Sequence, residues 1–289
     1  MIRACPRLAL AFLTACACAP ALAVPVDARF TATADETGGR SFDADLSIAA
    51  GKHVTLSAGA GHSRGSEETA DLTGTLLNAG VSVHGERGGF SLNFDSFDDS
   101  SNYRSRTLAG RAWISAGDFE IALLGRRRDL VVDLVLELPL RTVRREVEFG
   151  ALGGGLDVSL ARGNFNAYVS ALSYDYDDEF EQFIDLANSP QLDSRPRIEA
   201  LVGTFMTQAQ GAVDRQYAAG IEIAFGRHSL ALDLANVHDA ILDAGSTSAA
   251  LTWRHAQSAR LDWSITGGVV DSDTYGSIGF VGAGLGIGN

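Results

Sequence analysis

The feature that most constrains this chain is a period of two, broken at short intervals by glycine-centred turns. It is clearest at residues 106–125, RTLAGRAWISAGDFEIALLG. Leu108, Gly110, Ala112 and Ile114 alternate with Thr107, Ala109, Arg111 and Ser115. After Ala116-Gly117-Asp118, Phe119, Ile121 and Leu123 alternate with Glu120 and Ala122. An extended chain sends successive side chains to opposite faces, and a Gly-Asp pair suits a tight reversal, so the segment reads as a β-hairpin. Comparable turns recur at Ala50-Gly51-Lys52, at 85–89, at Arg162-Gly163-Asn164 and at Gly226-Arg227-His228. Each leads into another alternating run: HVTLSAGAG, FSLNFDS, FNAYVSAL and SLALDLA.

Extended along the chain, the pattern predicts strands near 27–35, 41–50, 53–62, 72–83, 90–96, 106–116, 119–128, 144–160, 165–176, 214–225, 229–236, 247–255, 261–269 and 277–287. That is about 14 strands, an even number of the kind transmembrane barrels favour. The connections alternate in length. Short turns follow the even-numbered strands, with 255–260 slightly longer. Polar or long segments follow the odd-numbered ones: 35–40, 63–70, 97–103, 129–143, 177–213, 237–246 and 270–275. The faces also separate. Phe42, Ala44, Leu46 and Ile48 oppose Ser41, Asp43, Asp45 and Ser47. Leu261, Trp263 and Ile265 oppose Asp262, Ser264 and Thr266. A soluble β-sandwich would alternate too, with the apolar face buried. The strand number, the loop asymmetry and an export signal favour an all-β, transmembrane, antiparallel up-and-down β-barrel, with short periplasmic turns and long exterior loops.

The export signal is residues 1–23. Arg3 and Arg7 precede the apolar run Leu8 to Ala15, and Ala21-Leu22-Ala23 offers a small-residue cleavage site. Leu13-Thr14-Ala15-Cys16 is a competing lipoprotein-type site, which would anchor the chain through Cys16. Residues 24–289 then form a single barrel domain. All three cysteines, Cys5, Cys16 and Cys18, fall in the leader, so the remainder has neither disulfide framework nor thiol nucleophile. Without Arg3 and Arg7 the balance is 36 acids against 21 of the 23 bases, which argues against nucleic acid as a partner. No later apolar run approaches the ~20 residues of a membrane-spanning helix.

With these strands, loops and leader, residues 24–289 resemble the bacterial outer-membrane β-barrel proteins in a porin-like form; no motif assigns a particular family. The resemblance implies residence in the bacterial outer membrane and contact with its lipids, lipopolysaccharide and the barrel assembly machinery. Such barrels commonly end in an aromatic residue, whereas this sequence ends Leu285-Gly286-Ile287-Gly288-Asn289.

Two segments are candidates for function. The first is rich in arginine: Arg126, Arg127 and Arg128, then DLVVDLVLELPL, then Arg141, Arg144 and Arg145. If Phe119 and Leu123 face lipid, Arg126 and Arg128 face the lumen. If Val147 and Phe149 face lipid, Arg144, Glu146 and Glu148 face the lumen too. Arg127 and Arg145 then point outward at the rim, placed for lipid phosphates. The stretch 129–138 is expected to be a strand hairpin standing clear of the membrane. The second segment is 177–213. Phe180, Phe183, Ile184 and Ala187, then Ile198, Leu201, Val202 and Phe205, carry helical spacings that need a packing surface. The nearest is the barrel mouth, where inward-facing Tyr174 and Tyr176 end strand nine, so this loop is expected to fold into or over the lumen and limit conductance; an exterior loop packed only on itself is the alternative.

Enzymatic readings find little support. None of His53, His62, His84, His228, His238 and His255 has serine two residues on, the spacing barrel lipases use. His238-Asp239 with Asp95, Asp98 and Asp99 only loosely matches the barrel proteases. No catalytic residue, metal ligand set or cofactor site is expected. The sequence points to a channel for passive diffusion of small hydrophilic solutes, with a non-conducting surface barrel for adhesion or scaffolding as the alternative.

Overall fold

Each alternating run becomes a strand because its two faces meet different surroundings, and each glycine turn reverses the chain. Gly51, Gly117, Gly163 and Gly226 all hold positive φ at the reversals. The computed structural model describes residues 25–66, 71–99, 103–138, 141–177, 180, 212–240, 243–273 and 276–288, with the side chains of 66, 71–72 and 134–145 outside that description. The strands are β1 (Val26–Asp35), β2 (Arg40–Ala49), β3 (Val54–Ser66), β4 (Asp71–His84), β5 (Gly88–Asp99), β6 (Tyr103–Ala116), β7 (Phe119–Leu138), β8 (Arg141–Arg162), β9 (Phe165–Tyr176), β10 (Val213–Phe225), β11 (His228–Asp239), β12 (Ala244–Ser258), β13 (Leu261–Ser272) and β14 (Gly276–Gly288). Each pairs antiparallel with its sequence neighbours. β1 pairs with β14 from Asp27↔Gly288 to Asp35↔Phe280 and closes the barrel. The expected fold class and strand order are borne out. β7 and β8 run 20 and 22 residues, so their hairpin stands beyond the neighbouring strands as anticipated.

The outer face is a belt of exposed apolar side chains. Ile121 and Leu123 of β7, Leu152 and Leu156 of β8, Ile221 and Ile223 of β10, Leu232 and Leu234 of β11 and Val281 of β14 all lie on it. In water, so continuous a surface would drive association; in a bilayer it is the solvated face. Rings collect outward at the short-turn end: Phe90, Phe119, Phe165, Phe225, Trp253 and Trp263 stand near the first or last residues of their strands. This is the aromatic girdle expected where a barrel meets the membrane interface. No helix among the described residues is long and apolar enough to cross a membrane.

Away from the long-loop end of β5–β9, the inner face is built mostly of small and polar residues, and its glycines have a packing role. A Cβ at Gly153 would stand 2.8 Å from the Tyr174 ring, one at Gly282 2.7 Å from the Thr33 methyl, and one at Gly268 2.5 Å from the Ala249 carbonyl oxygen while also striking the Phe280 ring. These glycines let larger lumen side chains lie flat along the wall instead of projecting across it. Outward-facing Gly154 has nothing within 4 Å of its would-be Cβ. We predict that Gly268→Leu lowers the urea-unfolding midpoint of the detergent-folded barrel by the equivalent of about 1–3 kcal/mol, the usual cost of overpacking, while Gly154→Ala leaves it nearly unchanged.

Candidate functional site

The lumen is built from every strand. Its inward row is fixed by register. Asp45 pairs with Gly59, Gly59 with Asn78, Asn78 with Asp95, Asp95 with Thr107, Thr107 with Arg128 and Arg128 with Ala151. Residues sharing a row share a face, so Arg126 and Arg128 point inward, as their alternation with Phe119 and Leu123 implies.

The two arginines differ in surroundings. Arg128 is 2% exposed. Its Nε donates to Thr107 Oγ1 at 3.3 Å, and its guanidinium lies 4.9 Å from the centre of the Tyr174 ring. Arg126 is half-buried, and its Nη1 donates to the Tyr174 hydroxyl at 3.3 Å. Tyr174 therefore sits between both, a junction that joins two segments the sequence presents separately. Tyr176 donates its hydroxyl to the Val213 carbonyl at 2.8 Å and stacks on Phe180 at 4.2 Å.

Around Phe180 the long-loop end of the lumen is filled. Phe97, Tyr103, Leu130, Val132, Phe149, Phe180 and Ala212 form one buried cluster, with Leu76, Val147 and Tyr176 against it. Phe149 packs on Phe180 at 5.0 Å. Two described residues of the β9–β10 connection are thus held inside the barrel: Phe180 by its ring, and Ala212 by accepting the Ala240 amide at 2.7 Å. Residues 181–211, with Phe183, Ile184, Ala187, Ile198, Leu201, Val202 and Phe205, lie outside the described structure.

This cluster corrects the reading of β8. Val147 and Phe149 do not face lipid; they pair with Val132 and Leu130 and turn inward. Glu146 and Glu148 consequently lie on the outer face and do not line the pore, and Glu146 accepts from the Arg104 Nη2 at 2.9 Å. The misreading equated apolar with outward, which fails where the lumen itself is apolar. Arg144 and Arg145 pair with Val135 and Leu134 in the β7–β8 hairpin, their side chains beyond those described. Arg127 faces outward, strongly exposed, and meets Asp129 at 3.4 Å.

Nearer the short turns the lumen is charged. Arg111 donates to Glu120 at 2.6 Å and to Asp157 at 3.2 Å, and its guanidinium lies 5.1 Å from the Trp113 ring centre. Arg254 lies 3.6 Å from Glu222 and 3.9 Å from Asp262. Tyr168 donates to Asp233 at 2.8 Å. Tyr168, Glu222, Asp233 and Arg254 border a cavity of about 390 Å³ that Asn166 and Thr252 also line. The sequence concealed the Arg111 and Arg254 networks because their partners lie on other strands.

His238 stands 3.6 Å from Asp214 and 3.5 Å from Asp243, whereas Asp95 occupies the inward row beside Thr107. Of the residues that loosely matched a protease arrangement, His238 and Asp98 fall on the outward row by register, whereas Asp95, Asp99 and Asp239 fall on the inward one, the last two buried. Among the described residues, no three potential metal ligands converge.

The sequence matches no family model and no curated protein sequence. In fold, the barrel is similar to OmpT, an outer-membrane protein of Vibrio cholerae, with TM-score 0.54 and 8% identity over 92% of this chain and 97% of that one. It is also similar to a form of that protein lacking loop L8, with TM-score 0.50 and 9% identity over 92% and 98% of the two chains. The fold is that of the outer-membrane β-barrels.

The two arginines separate by experiment. We predict that Arg128→Ala destabilises the folded barrel by roughly 2 kcal/mol, since a desolvated cation–ring contact and a charged hydrogen bond are both lost. Arg126→Ala is expected to shift the unfolding midpoint by less than half as much. Urea titration followed by tryptophan emission measures both.

Proposed function

We propose that the protein is an outer-membrane channel through which small hydrophilic solutes diffuse, with no chemical step. The observation that carries this reading is the lumen wall formed by β1–β4 and β10–β14. Its inward positions are mostly small or acidic: Ser57, Gly59, Gly61 and Ser63 on β3, Ser246, Ser248, Ala250 and Thr252 on β12, Gly282, Gly284 and Gly286 on β14, with Asp27, Asp43, Asp45 and Asp262 among them. Such a wall leaves space and water beside it. The opposite side, β5–β9, is the side occupied by the Phe149–Phe180 cluster. The path is therefore eccentric, running along the small-residue wall and narrowest at the exterior end.

The charge along that path is acidic. Arg111 and Arg254 are held among carboxylates, and Arg128 is buried against Tyr174. These three arginines thus support the wall more than they offer an anion path, and an acid-lined lumen concentrates cations. Outside, Arg104, Arg106 and Arg127 border the belt among Asp129, Glu146 and Glu148. This mixed band is the surface we assign to lipopolysaccharide phosphates, and the barrel assembly machinery is the partner for insertion.

The alternative, a barrel that does not conduct, draws on the same buried cluster. Planar-bilayer recording separates the two. The channel reading expects ohmic steps with cation preference, a several-fold loss of that preference in Asp43→Asn with Asp45→Asn, and larger steps in Phe180→Ala. An absence of steps at high protein load would establish the non-conducting barrel instead.

A further inference from the structure

The register at the periplasmic end brings together two histidines that lie 27 residues apart in sequence. His228 opens β11, and His255 stands directly opposite on β12. The Ala256 amide donates to the Arg227 carbonyl at 2.7 Å, which makes His228 and His255 a non-hydrogen-bonded cross-strand pair, the kind whose side chains approach most closely. Their rings are 4.6 Å apart between centres, and the two Nδ1 atoms are 3.3 Å apart. Both face outward, in register with Leu230, Trp253 and Trp263 of the membrane-facing side.

Surrounding rings fix this geometry. Trp253 stacks on His228 at 5.6 Å and 10°, Phe225 stacks on its ring at 5.7 Å, and Trp263 stands 5.5 Å from His255. Trp253 and Trp263 meet edge to face at 4.8 Å. The cluster leaves the two imidazoles little freedom to separate.

We propose that His228 and His255 form a two-imidazole site for a late first-row dication of the copper–zinc class at the periplasmic edge of the barrel. Two metal–nitrogen bonds of about 2.0–2.1 Å at a tetrahedral angle span about 3.3–3.4 Å between nitrogens, which is the separation already present. Imidazole is the ligand these ions favour, and cupric ion binds such sites most tightly in the series. In the metal-free pair one Nδ1–H donates to the other Nδ1. On binding, that proton is carried by Nε2 of the same ring, so both Nδ1 lone pairs face the ion and no net proton is released. Water completes the coordination from the periplasmic side, where the turn at residues 226–227 is exposed. The flanking rings reduce the entropy lost on ordering the ligands, and hold them against competing hydration.

The same rings supply a readout independent of transport. The chain has three tryptophans. Trp253 and Trp263 border the site, whereas Trp113 lies beside Arg111 on the lumen side. Cupric ion titrated into the full barrel in detergent micelles should quench tryptophan emission saturably in the micromolar range, and zinc should bind with one-to-one stoichiometry by calorimetry. His228→Asn and His255→Asn should each weaken both by at least about tenfold, while His62→Asn, at the other end of the barrel, should change neither. Gel mobility of unboiled samples checks that each variant remains folded. Quenching that persists in the folded double variant, or no saturable zinc or copper binding below about 1 mM, overturns the site and leaves the pair as a simple imidazole–imidazole hydrogen bond.

Discussion

The β1–β14 pairing is the constraint on which everything else rests. A bilayer offers no water to satisfy backbone amides and carbonyls, so a sheet can span it only by having no edge. Nine residue pairs from Asp27↔Gly288 to Asp35↔Phe280 remove the last edge here. Once closed, every strand must show one face to lipid and one to the lumen. The apolar belt, the aromatic girdle and the polar interior are consequences of that single closure.

Closure also explains the glycines. A barrel of this size has a limited interior, and side chains projecting radially from every inward position would obstruct it. Inward glycines such as Gly153 and Gly268 let Tyr174 and Phe280 lie along the wall. The C-terminal strand β14, which reads as an oddly glycine-rich end, is the wall against which β1 and β13 lay their lumen side chains. Thr33 leans over Gly282, and Ser264 over Gly284. The same device that closes the barrel keeps one side of its lumen thin, while β5–β9 carry the bulk.

The fourteen strands were legible because two local signals coincide, alternation along the strands and glycine at most of the short turns. The inward direction of Arg126, Tyr174 and Tyr176 followed from the same parity. What failed was the assumption that apolar means outward. On β8, Leu152, Leu156 and Val158 set one parity, while Val147 and Phe149 set the other. The strand keeps a single alternation, and the lumen turns apolar at its long-loop end to receive Phe180. Sequence alone assigns Glu146 and Glu148 inward for that reason. The burial of Arg128 was illegible too, because it depends on Thr107 and Tyr174 from neighbouring and next-neighbouring strands. The His228–His255 pair was hidden for the same cause, since only the β11–β12 register makes them adjacent.

The central claim is that strands alternate between lipid and a hydrated lumen, and residues 24–289 contain no cysteine to obscure a test of it. Single cysteines placed in turn at positions 220 to 225 of β10, in the barrel reconstituted in lipid vesicles, can be challenged with a small membrane-impermeant thiol reagent. The register predicts fast labelling at Gly220, Glu222 and Ala224, which share the lumen face with Asp233 and Ser229, and slow labelling at Ile221, Ile223 and Phe225. Equal labelling at all six positions, or the opposite parity, would contradict the account.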